Sequence, residues 1–87
     1  MNVQVNVLYF AKSAELAGVK SERLTVPHQI VSRQLWQEIV RARPSLGVLQ
    51  GQVVLAVRQQ YVAIDSEQPI ILQDGDEVAV VPPLSGG

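Results

Sequence analysis

Val3, Val5, Val7 and Tyr9 alternate with Asn2, Gln4, Asn6 and Leu8, the period-two pattern of a strand with one buried face. From Leu8 to Ala11 both parities are apolar, so the end of this strand is expected to be covered on both faces. Residues 12–18 read as one or two helical turns, with Ser13 placed to cap the start and Gly18 to close the end. Arg23-Leu24-Thr25-Val26 alternates again, and Pro27 stops that run.

A longer helix is predicted over residues 33–43 with Ser32 as its N-cap. Leu35, Ile39 and Ala42 fall at i, i+4 and i+7, and Trp36 and Val40 widen the stripe. Arg41 and Arg43 lie where the helix dipole favours cations, and Pro44 forces the stop. After a loop over residues 45–51, residues 53–57 form a continuous apolar strand. Gln59 and Gln60 make a turn, and residues 61–64 answer as a short partner. Residues 65–69 are a polar loop with Ile70-Ile71-Leu72 behind it. Gln73-Asp74-Gly75-Asp76 is a turn, since Asp and Gly supply local hydrogen bonds and positive φ. Residues 77–81 are the last strand.

Strands, one long helix, then more strands make an α+β domain with the helix packed on one sheet face. The first and last strands are the most apolar, so they belong side by side in the middle of a mixed sheet, paired parallel. That arrangement is a β-grasp over residues 1–81. A ferredoxin-like alternative needs a second full-length helix, and residues 12–18 are too few.

Length and composition narrow the function. Eighty-seven residues hold one core. A net charge of −1 with seven Lys and Arg argues against nucleic acid or an anionic membrane as partner. No signal peptide pattern or bilayer-length apolar run is present, so a soluble cytosolic protein is expected. The absence of cysteine removes disulfides, thiolate metal sites and cysteine nucleophiles together. His28 is the single histidine, flanked by Pro27 and Gln29, and is expected to be a solvated loop residue. Asp74, Asp76 and Glu77 lack the spacing of a calcium loop, so no metal site is expected. No Gly-rich phosphate loop or catalytic grouping can be assigned from spacing. The domain itself does not read as a catalyst.

The chemistry points instead to residues 82–87. Pro82 and Pro83 follow the last strand directly, fix φ and remove two donors, so sheet pairing stops and a stiff extended arm begins. Gly86 and Gly87 carry no side chain, which suits a narrow site on another protein. A free α-carboxylate on Gly87 would be a poor electrophile at neutral pH, having a pKa of about 3.5. Adenylation by an ATP-using enzyme would turn it into a mixed anhydride open to an amine, an alcohol or a sulfur donor. With no cysteine, covalent sulfur carriage is expected to use this carboxylate.

The run Asp74-Gly75-Asp76-Glu77-Val78-Ala79-Val80-Val81-Pro82-Pro83-Leu84-Ser85-Gly86-Gly87 resembles the ending of the molybdopterin synthase small subunit family, ubiquitin-like sulfur carriers. Leu8-Tyr9-Phe10-Ala11-Lys12, leading to Glu15-Leu16-Ala17-Gly18, looks like that family's first strand and following helix. Leu84 departs from the more usual Val or Ile. The resemblance implies that an E1-like adenylyltransferase and sulfurtransferase uses ATP to adenylate Gly87, which then becomes a thiocarboxylate. It implies that the tail enters the large subunit's active site and passes sulfur to cyclic pyranopterin monophosphate, within a heterotetramer. It further implies docking through Phe10, Tyr61 and Val81, with Pro82, Pro83, Leu84, Ser85 and Gly86 as the arm and no cofactor bound to the carrier. Rival readings are a carrier for thiamine or tRNA thiolation, a protein modifier joined through Gly87 to lysine, and a binding module whose Pro-Pro arm fills an aromatic groove.

Overall fold

The computed structural model describes residues 1–58 and 60–81. The elements run β1 (Asn2–Tyr9), α1 (Lys12–Ala17), β2 (Ser21–Pro27), β3 (Gln29–Val31), α2 (Ser32–Ala42), a 3-10 helix (Pro44–Leu49), β4 (Val54–Val57), β5 (Gln60–Ala63), β6 (Pro69–Ile71) and β7 (Glu77–Val81). Five strands form one sheet in the order β2-β1-β7-β4-β5. The first and last strands pair parallel at its centre, with Asn6 opposite Glu77 and Tyr9 opposite Val80, as their apolar sequences predict.

One face of the sheet is packed and the other is not. Val3, Val5, Val7 and Tyr9 of β1, Val78 and Val80 of β7, and Leu55 and Val57 of β4 point inward and are buried. Against them α2 sets Leu35, Trp36 and Ile39, also buried. Ala42, expected on the same stripe, is exposed, because the helix ends at that residue and the chain turns away. Arg43 has φ −134 and ψ 83, the extended geometry that a following proline demands. No helix of the described residues is long and apolar enough to cross a membrane.

Several local expectations are corrected by contacts that are distant in sequence. Ser32 is the first residue of α2 rather than its N-cap, and no side chain caps that end. The helix start is instead buried under the loop before β6. There Ser32 N–H donates to the Gln68 carbonyl at 3.1 Å and Arg33 N–H to the Ser66 carbonyl at 3.0 Å. The Ser32 hydroxyl donates to Ser66 as well, at 2.9 Å. Loop carbonyls thus take the orphan donors that a cap would otherwise satisfy.

Ser13 is likewise no cap. It lies inside α1, buried, with its hydroxyl on Phe10 and Val80. Gly18 does close α1, with φ 78 and its N–H donating to Ala14 at 3.0 Å. Residues 45–51 are mostly the 3-10 helix, whose three-residue period buries both Leu46 and Leu49. Gln60 belongs to β5 and pairs with Val57. Arg58, at φ 48, belongs to the turn, and Gln59, also expected there, lies outside the described residues. A second sheet of β3 and β6 was not expected. It pairs Ile30 with Ile70 and buries both, and His28 sits in the connection between β2 and β3.

At the other end of α2, Arg43 grips Glu22 through Nε and Nη2 at 2.9–3.1 Å, and Glu22 also accepts the Tyr9 hydroxyl. Hydrogen bonding from Arg43 holds the Glu22 carboxyl below its ordinary range. Burial first, and the bond to Glu22 second, push the Tyr9 phenol well above its own. A lowered carboxyl pKa stabilises the fold above the unfolded value and loses that contribution as pH falls through the folded one. Glu22→Gln is therefore expected to lower Tm at pH 7 by about 2–5 °C. It should also flatten the loss of Tm below about pH 4.5 relative to wild type, as followed by calorimetry across pH.

Candidate functional site: the uncovered sheet face

Alternation puts every second residue of the central strands on the face away from α2. One row runs Leu8, Ala79, Ala56, Tyr61, each directly opposite the next across the ladder. The row nearer the end of β7 runs Val81, Val54, Ala63. Continuing the β1–β7 register sets Phe10 level with Val81. No described element lies over these rows. The double-sided apolar end of β1, expected to be covered on both faces, is thus covered on one alone.

The residues named from sequence separate clearly. Phe10 is 47% exposed and Tyr61 60% exposed, so neither is part of the core. Val81 is half-buried in the open rows. Pro82, Pro83, Leu84, Ser85, Gly86 and Gly87 lie outside the described residues. What the structure fixes is their root. Val81 pairs with Val54 on β4, and the preceding Val80 pairs with both Tyr9 and Leu55. β7 therefore ends in the middle of the sheet and not at a loose edge.

Sequence reading missed Leu8, Ala56, Ala79, Val54 and Ala63 as members of this surface. Their signal was visible: strands apolar on both parities in a chain with a single long helix to cover them. Beside Leu8, the two alanines floor a hollow of about 550 Å³ rimmed by Arg58, Gly75, Asp76 and Glu77. Arg58 donates to the Asp76 carboxylate and, at 2.8 Å, to the Ile71 carbonyl. Asp76 also accepts Gln73 N–H at 2.9 Å, and Asp74 accepts Gln4 N–H at 2.8 Å. Gly75, at φ 87, donates its N–H to Gln4 at 2.8 Å. These bonds fix the start of β7 and hence the registry of the open rows.

The surface has few groups suited to catalysis. Among the described residues no group of three or more His, Cys, Asp or Glu is placed to hold a metal ion. The perturbed Tyr9, Glu22 and Arg43 are engaged with one another and do not line the apolar rows. An apolar patch with a fixed polar rim is a surface suited to binding a protein.

The ThiS family profile matches residues 7–87, nearly the whole chain. The chain belongs to the ThiS family. As a ThiS-family protein it is 54% identical over 84 residues to the human molybdopterin synthase sulfur carrier subunit, covering 97% of this chain and 94% of that one. Among solved structures it resembles the putative molybdopterin converting factor subunit 1 of Pyrococcus furiosus. That match has 34% identity and a TM-score of 0.71, covering 94% and 99% of the two chains. It shares its fold with a chain in the complex of subunits 1 and 2 of the Helicobacter pylori molybdopterin-converting factor. There the TM-score is 0.66 at 19% identity, covering 98% and 100%. The ThiS-family architecture here is a ubiquitin-like β-grasp, the mixed sheet with one main helix that the hydrophobic pattern predicts.

If the open rows are surface and not core, truncating them should cost little stability. Tyr61→Ser and Phe10→Arg are each expected to shift Tm by less than about 3 °C. Leu55→Ala, at a fully buried position, should cost about 2–5 kcal/mol. Thermal melts of the three variants check this, and a large loss at Tyr61 would return that residue to the core.

Proposed function

We propose that this protein carries sulfur for molybdopterin synthesis as a thiocarboxylate on Gly87. The carrying observation is the 54% identity, along nearly all of both chains, to a protein named as a sulfur carrier subunit. The lack of any cysteine supports the same reading, because no thiol is present to hold sulfur on a side chain. So does the family match running through residue 87.

The chemistry follows from a carboxylate with no side chain beside it. A Gly87 carboxylate oxygen attacks the α-phosphorus of ATP on an E1-like enzyme, and pyrophosphate leaves. Sulfide then displaces AMP from the acyl carbon and loses its proton to give the thiocarboxylate directly. A persulfide donor gives an acyl disulfide, whose S–S bond a second thiol cleaves, releasing the thiocarboxylate and leaving a disulfide on the donor side. In the large subunit the thiocarboxylate sulfur bonds to a side-chain carbon of cyclic pyranopterin monophosphate as an oxygen substituent of that carbon leaves. Water then hydrolyses the resulting thioester, returning the Gly87 carboxylate and leaving the sulfur on the pterin. Two such transfers supply the dithiolene. The carrier binds no cofactor; ATP belongs to the activating enzyme.

The domain's part is to dock and to aim. Leu8, Ala79, Ala56 and Tyr61, with Phe10 and Val81, supply the apolar face for the large subunit, in a heterotetramer of two large and two small subunits. The Helicobacter complex of subunits 1 and 2 supports that partner. Pro82 and Pro83 stiffen the arm, Leu84 anchors it, and Ser85 and Gly86 lead Gly87 into the partner's site. On this reading the protein works in the cytosol beside its ATP-using partner.

Incubation with ATP, an E1-like activating enzyme and a sulfur source should replace one oxygen by sulfur in the intact mass. Adding one residue after Gly87 should abolish that change, and Gly87→Ala should slow it, with circular dichroism unaltered in both. An extended chain that still supports molybdopterin formation sinks the reading, and covalent adducts on lysines would favour a protein modifier. Phe10→Arg is expected to weaken large-subunit binding by about tenfold or more in calorimetry. Unchanged affinity would remove Phe10 from the face.

A further inference from the structure

Phe10 is held in place by a backbone arrangement that costs the fold free energy. Ala11, immediately after it, has φ 54 and ψ −127. There a Cβ crowds the backbone, and the conformation ordinarily belongs to glycine. Strain of this kind persists only where the surroundings over-determine it. Ser13 provides that constraint. Its hydroxyl accepts Phe10 N–H at 2.9 Å and shares its one proton between the carbonyls of Phe10 at 2.7 Å and Val80 at 3.2 Å. Ser13 N–H donates to the Phe10 carbonyl as well, at 3.1 Å. Both polar backbone groups of Phe10 are thus gripped by one buried residue, which is also tied to β7 one position before Val81. The exposed ring beside this grip rims a hollow of about 360 Å³ with Lys12, Leu49, Gln52 and Val53.

We propose that Ala11 and Ser13 are positioning residues of the docking face. Together they form a strained knuckle that fixes the Phe10 ring beside the root of the arm before any partner arrives. The inference rests on the docking reading above and adds how that face is prepared. Alanine occupies this backbone region as a narrow well and glycine as a broad one. Glycine at position 11 would relieve the strain and free the ring. Loss of the Ser13 hydroxyl would free the ring too, while leaving Phe10 N–H without its partner. The large subunit would then have to order the aromatic group on binding, which weakens association.

The test uses the full chain and the cognate large subunit. Ala11→Gly is expected to raise Tm by about 2–5 °C and Ser13→Ala to lower it by a similar amount. Both are expected to weaken binding, by about three- to tenfold. Opposite effects on melting with the same effect on affinity separate positioning from mere stability. In a Phe10→Ala background, Ala11→Gly should cause no further loss, since there is no ring left to order. Wild type that binds while Ala11→Gly binds equally well, or a loss that persists undiminished without Phe10, overturns the inference and leaves the docking reading intact. Wild type that fails to bind the large subunit overturns both.

Discussion

One helix can cover only one face of a sheet. Among the described residues α2 is the sole long helix, and it covers the inward rows of β1, β7, β4 and β5 so completely that most of their side chains are buried. The central strands are nonetheless apolar on both faces. That mismatch leaves Leu8, Ala79, Ala56 and Tyr61 facing outward in register, a surface whose burial has to come from another molecule. In the proposed docking, partner binding would complete the packing that folding leaves undone.

The polar parts of the structure serve mainly to keep that surface in register. Arg58 and Asp76 tie the β4–β5 turn to the turn before β7, and Asp74 and Gly75 tie the latter turn to β1. A slip of one residue in β7 would exchange Val78 and Val80 for Glu77, Ala79 and Val81, placing the open row in the core. Arg43 and Glu22 perform a comparable service at the opposite end, joining α2 to the β1–β2 hairpin. In both places the charged groups are matched locally, so the outward apolar rows carry none of the cost of burying them.

How much of this could be read beforehand depends on the range of the contact concerned. The strand ends of β1 and β7 are apolar on both parities, and that local fact led correctly to a central parallel pair. The helix over residues 32–42 and the Asp-Gly turn at Gly75 were equally legible, because period and turn chemistry are written into a few adjacent residues. Ser13 and Ser32 misled for the same reason. Each has the composition of a cap, but Ser13 answers to Val80 and Ser32 to Ser66, contacts that no short window contains. The β3–β6 sheet is three residues on each side, too short to show alternation. For the site, Phe10, Tyr61 and Val81 were identified by resemblance, whereas their neighbours on the open face follow from register and burial.

The parallel pairing of β1 with β7 joins residues 6–9 to residues 77–80. Local contacts alone cannot close such a sheet, and closure has to await nearly the whole length of polypeptide. During synthesis the chain emerges from its N-terminal side, so Leu8 waits without its neighbour Ala79 until the last strand is made. A nascent or truncated copy lacking β7 would therefore present no recognisable platform to a binding protein. In the proposed docking, competence to associate therefore waits on β7, and copies without that strand are left out of assembly with no separate means of rejecting them.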